Sequence, residues 1–93
     1  MLVRNKLLLE KFIARHANAR IPISEWVLKT EAARWRNFTE VKATFNSADY
    51  CSPFVIFDIA GNKYRLLAEI NYLGELVRIA KIGTHSTYSR WRL

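Results

Sequence analysis

The stretch Phe54-Val55-Ile56-Phe57-Asp58-Ile59-Ala60-Gly61-Asn62-Lys63-Tyr64-Arg65-Leu66-Leu67-Ala68-Glu69-Ile70-Asn71-Tyr72 decides how the chain folds. Phe54 to Ile59 is an apolar run rich in the β-branched and aromatic residues that suit a pleated, half-buried surface. Ala60-Gly61-Asn62 reads as a turn. Lys63 to Tyr72 then alternates. Tyr64, Leu66, Ala68, Ile70 and Tyr72 share one face, and Lys63, Arg65, Leu67, Glu69 and Asn71 the other. Leu73-Gly74-Glu75 turns the chain again, and Leu76 to Ile82 supplies a third long strand. The three strands predict an antiparallel meander, with Lys63 and Arg65 presented on the face away from the core.

Upstream of residue 50 the period is helical. Met1 to Val3 is long enough only for a very short strand. Asn5 is placed to cap a helix running to about His16, with Leu8, Leu9, Phe12 and Ile13 on its inner side. A second helix starts between Asn18 and Pro22, since proline fits a first turn, and continues to about Trp35. Trp26, Val27, Thr30 and Ala33 form its inner stripe, and Trp35, about half a turn from Trp26, must find another surface. Asn37-Phe38-Thr39-Glu40 resembles a capping box that opens a third helix, Thr39 to Phe45, with Val41 and Phe45 as its buried pair and Lys42 off that face. Helices first and strands after predict an α+β fold, the N-terminal helices packed on one face of a small antiparallel β-sheet, in a single domain over residues 1–93.

Fifteen Lys and Arg against eight Asp and Glu give a formal net charge of +7 in 93 residues. Such an excess draws polyanions, of which nucleic acid is the commonest, an anionic membrane or an acidic protein being the alternatives. No apolar run approaches the ~20 residues of a membrane span. A single cysteine, Cys51, leaves no internal disulfide, and the expected compartment is the cytoplasm. No metal site and no cofactor are expected. CxxC and HExxH are missing, as are clustered carboxylates and a glycine-rich phosphate loop.

Four features carry candidate chemistry, each with a plainer alternative. Arg65, mid-strand, offers two parallel donors to a phosphate, or pairs with Glu69, two positions along on the same face. His85 closes the last strand in Gly83-Thr84-His85, and Tyr88 follows. They offer acid/base groups, and Tyr88 or Trp91 a surface for stacking a base, unless this is a solvent-exposed tail. Lys42 and Lys63 are phosphate contacts or solvated lysines. His16, at a helix end, answers the dipole there, or packs against the neighbouring helix.

The segment Val55 to Leu66, with its Gly61-Asn62-Lys63-Tyr64-Arg65-Leu66 run, resembles a stretch of HigB-type toxins, which are mRNA interferases within the RelE-like superfamily. The ending Gly83-Thr84-His85-Ser86-Thr87-Tyr88 is similar to their closing motif, and Val41 to Phe45 and the Ala33 and Trp35 pair also fit. The resemblance implies helices over a small antiparallel sheet and a toxin of a type II toxin-antitoxin system. It implies metal-independent cleavage of mRNA on the ribosome, and a cognate antitoxin partner. Arg65, His85 and Tyr88 would be catalytic, with Lys42, Lys63, Arg78, Lys81 and Trp91 on the RNA. Ser89 and Thr87 stand where the family usually has Asp and Glu, Ala80 where it has Arg, and Asp58 where it has Asn. A non-catalytic RNA- or ribosome-binding module on the same scaffold is the alternative, and a domain for one acidic protein partner is a third reading.

Overall fold

The computed structural model describes residues 1–91. The elements run β1 (Leu2–Arg4), α1 (Lys6–Arg15), a 3-10 turn (Ala17–Ala19), α2 (Arg20–Ala32), α3 (Phe38–Thr44), β2 (Asp49–Cys51), β3 (Phe54–Ile59), β4 (Tyr64–Asn71), β5 (Leu76–Thr84) and α4 (His85–Tyr88). The sheet order is β1-β5-β4-β3-β2. Its centre is the antiparallel meander that the alternation predicts. Two short strands complete it. β2 pairs antiparallel with β3, and β1 pairs parallel with β5, so the sheet is mixed rather than wholly antiparallel. β2 had no sequence signal, because Asp49-Tyr50-Cys51 has no hydrophobic alternation.

The first three helices cover one sheet face. Leu9 and Ile13 of α1, Ile23 and Trp26 of α2 and Val41 of α3 join Val55, Phe57, Leu66, Ala68, Val77 and Ile79 in one buried cluster. Phe57 is its hub. Its ring centroid lies 5.2 Å from that of Trp26, 5.3 Å from Phe45 and 6.4 Å from Trp35. Trp35 finds its second surface here, with its indole N–H donating to Thr44 Oγ1 at 3.0 Å. That destination also ends α2 at Ala32 rather than near Trp35, since a further helical turn would carry the indole away from Phe57. Ala33 is already extended, at ψ 158°.

Local chemistry sets the other boundaries. Asn37 caps α3 by accepting from the Glu40 N–H at 3.1 Å. Glu40 reaches back to the Arg36 N–H at 2.6 Å, one residue beyond the usual capping-box partner. The hydrogen bond from the Arg36 side chain holds the Glu40 carboxyl below its ordinary range. Asn5 does not cap α1. It sits at φ 73° in the tight link after β1, and its side-chain amide donates to the Ile79 carbonyl at 2.8 Å, fastening the helix start to β5. The hairpin between β3 and β4 spends four residues on its turn, so β4 begins at Tyr64, not Lys63. Ala60 and Gly61 both take positive φ there.

The opposite sheet face is not simply open to solvent. Ile56 and Leu67, paired across β3 and β4, are buried on it. A bulge in β5 sets what joins them. Ala68 faces Ile79 while Leu67 faces Lys81, leaving Ala80 as the extra residue. The insertion turns both Ile79 and Ile82 toward the helices and puts Lys81 on the far face.

Two substitutions test the core. Phe57→Ala is expected to lower unfolding free energy by about 3–5 kcal/mol in urea, because it empties the centre of the aromatic cluster. Thr30, fully buried with a hydroxyl that has no partner among the described residues, is the converse case. Thr30→Val removes that uncompensated group and is expected to add about 1 kcal/mol. An unchanged urea midpoint in either variant contradicts this packing.

Candidate active site

Arg65 leaves β4 on the face away from the helices. Its cross-strand neighbour is Asp58, since both are equally distant from the Ala60 to Lys63 turn. Nε of Arg65 lies 3.0 Å from Asp58 Oδ1, and only 11% of the arginine side chain is exposed. One terminal nitrogen donates to the Tyr64 carbonyl at 3.3 Å and the other to the Asn62 side-chain oxygen. The pairing with Glu69 weighed from sequence does not form, because Glu69 faces Arg78 across β5 and pairs with it instead.

The chain beyond β5 folds back over this face rather than trailing into solvent. Thr84 caps α4, its hydroxyl accepting from the Thr87 N–H at 3.1 Å and lying 3.0 Å from the Thr87 hydroxyl. Ser89 Oγ donates to the His85 carbonyl at 3.0 Å. Thr87 and Ser89, which depart from the resembled pattern, are therefore used to hold the turn. The turn sets the Tyr88 ring 5.5 Å from the Arg65 guanidinium carbon. Trp91 packs edge-on to Tyr88 at 5.6 Å, and the Lys81 ammonium sits 5.4 Å from its ring. Gly83 makes room for this: a Cβ there would come within 2.8 Å of the Trp91 ring.

His85 opens α4, exposed, with its backbone N–H donating to the Lys63 carbonyl at 3.0 Å. Its imidazole has no hydrogen bond to any described residue. Lys63 itself is exposed in the turn. Arg65, Tyr88, Trp91, Lys81, His85 and Lys63 are thus gathered at one end and one face of the sheet. Lys42 and Arg78 are not held with them. The Lys42 ammonium donates to the Asn46 and Ala48 carbonyls, each at 2.9 Å, closing the loop after α3. Arg78 is occupied by Glu69.

The family model described as HigB toxin, a RelE-like toxic component of a toxin-antitoxin system, matches residues 19–91. The chain belongs to the HigB toxin family. Among curated proteins, none matches it significantly. The toxin's α+β layout agrees with a RelE-like fold, and the family implies a cognate antitoxin as its partner. No helix among the described residues is long and apolar enough to cross a membrane.

Sequence reasoning on this HigB-family chain missed three supports: Asp58, Asn62 and the glycine seat of Trp91. The first had a signal, an acid and an arginine equidistant from a turn. The glycine seat is testable. Trp26 and Trp35 are buried, so Trp91 dominates quenching of tryptophan emission by iodide. Gly83→Ala is expected to displace Trp91 and raise that quenching without lowering helix content. Unchanged quenching contradicts the contact.

Proposed function

We propose that this chain is a metal-independent endoribonuclease that cleaves mRNA on the ribosome, as the toxin of a type II pair held inactive by its antitoxin. RNA carries its own nucleophile, the 2′-hydroxyl beside the scissile phosphate. The protein must hold that oxygen in line, move protons and neutralise charge that builds on the phosphate. The observation that supports this reading is the fixed Arg65 guanidinium. Asp58, Asn62 and Tyr88 hold its position before any ligand arrives, which spares reorganisation in the transition state. Arg65 takes the phosphate charge, Lys63 and Lys81 supply further cations, and His85 and Tyr88 share proton transfer and base positioning. Trp91 adds an aromatic surface beside Tyr88. The 2′-oxygen bonds to phosphorus as its proton leaves to a base. The P–O5′ bond breaks, and the departing oxygen receives a proton. The products are a 2′,3′-cyclic phosphate and a 5′-hydroxyl.

A second reading, RNA or ribosome binding without cleavage, draws on one observation. No carboxylate orients the His85 imidazole among the described residues, and the positions that usually supply one are Thr87 and Ser89, which hold α4. Induction of the wild type and of an Arg65→Ala/His85→Ala variant in bacteria, with mapping of new mRNA 5′ ends, separates the two. Equal expression and folding are checked alongside. New 5′-hydroxyl ends from the wild type alone are expected, and Arg65→Ala alone is expected to cost about 10²–10³ in cleavage rate. Ends carrying 5′-phosphate contradict the chemistry. No ends from the translating, antitoxin-free wild type contradict the enzyme and favour the binding module.

A further inference from the structure

Most acidic side chains of the molecule are spent on neighbouring cations. Lys6 pairs with Glu31, Arg20 with Glu10, Arg34 with Glu75 and Arg36 with Glu40. Lys11 and Arg15 of α1 are an exception. Both are exposed, and neither forms an ion pair with any described residue. They stand one helical turn apart, on the order of 6 Å between their β-carbons. Between α1 and β5 they flank a cleft of about 450 Å³ whose other walls are Leu8, Phe12, Ala14 and Ile82. The walls are apolar and the rim is cationic.

The cleft opens where β5 loses its outer neighbour. β1 covers only Leu76 to Arg78, so the Ile82 end of β5 has no strand beside it. It lies at the same end of the sheet as the site already described, since Ile82 pairs with Leu66 and Gly83 with Arg65. Ile82 immediately precedes Gly83, and the Phe12 ring is 5.4 Å from that of Tyr64, the residue between Lys63 and Arg65. His16, stacked on Phe12 at 4.3 Å and 6.1 Å from Tyr64, fills the space between α1 and the sheet end.

We infer that this cleft is a second subsite for the single-stranded RNA substrate. One base outside the scissile step seats against Leu8, Phe12 and Ile82, and the phosphates flanking it lie on Lys11 and Arg15. Charge complementarity selects the occupant: an apolar seat for a flat base with cations at both ends of one helical turn fits a polyanion with apolar bases. The inference rests on the reading of the chain as an RNA-directed toxin. It adds that recognition extends beyond the reacting nucleotides and around the end of the sheet.

The test uses the full chain and uncleavable 2′-O-methyl RNA of three and eight nucleotides, with affinity read by fluorescence anisotropy over a salt series. For the wild type the longer strand is expected to bind about 10-fold more tightly or better, the gain of one seated base and two phosphates. Lys11→Ala/Arg15→Ala is expected to abolish that length advantage, to lower the salt slope by about 1.4, and to leave the three-nucleotide strand unaffected. Ala14→Leu, a good helix former on an exposed position, fills the cleft without touching charge and is expected to remove the advantage as well. Wild-type affinity for the eight-nucleotide strand in either variant overturns the subsite while leaving the RNA reading intact. An acidic peptide that depends on Lys11 and Arg15 while the long RNA does not also overturns it. No binding of the eight-nucleotide RNA by the wild type also overturns the subsite, while the RNA reading itself stands or falls with the mapping of new mRNA 5′ ends.

Discussion

The ion pair between Arg65 and Asp58 fixes the functional face. It spans β3 and β4 at 3.0 Å, one pair in from the hairpin turn, so the same register that builds the sheet delivers the two side chains to each other. An arginine so little exposed is costly unless its charge is answered. Asp58 answers the charge, while the Tyr64 carbonyl, Asn62 and the Tyr88 ring take up further parts of the guanidinium. The consequence is an arginine whose position is set by the fold. It retains donors not used by these partners, since a guanidinium has five.

The two sheet faces divide the work. The helix face carries the aromatic cluster around Phe57 and most of the buried apolar surface. The far face has a smaller apolar patch, Ile56 and Leu67, and places the polar groups around it. The β5 bulge couples the faces. By inserting Ala80 it keeps Ile79 in the core and Ile82 packed against it while sending Lys81 out beneath Trp91. Gly83 then lets the returning chain lie flat on the sheet, and the Thr84 cap starts the turn that carries Tyr88 to Arg65 and sets His85 beside Lys63. A small toxin thereby builds a site from one strand register, one bulge and one capped turn.

Much of this was legible in the sequence, for identifiable reasons. The change from helical spacing to alternation near residue 50 marked the meander, and Asn37 before Glu40 marked α3. The gathering of Arg65 with His85 and Tyr88 was legible through the motifs on β4 and at the end of β5, because those strands are neighbours. What escaped depended on partners distant in sequence. β1 is stabilised as a strand by β5 rather than by its own composition. Asn5 looked like a cap, but the tight link to β5 turned its side chain to Ile79. Lys42 looked available, but loop carbonyls near it take up its ammonium. Leu67 is fully buried on the polar face, which no local pattern announces.

Arg65 is held by the fold before any ligand arrives. Nitrogen-15 NMR of the arginine Nε–H groups in the free protein tests it most directly, by the rate at which each exchanges with solvent. The Arg65 Nε–H, paired with Asp58 and largely buried, is expected to exchange far more slowly than that of Arg34, whose side chain is 86% exposed. Asp58→Asn is expected to accelerate the Arg65 exchange and to leave Arg34 as it was. Equal exchange at the two arginines in the wild type would contradict the account, and would mean that Arg65 is free in solution.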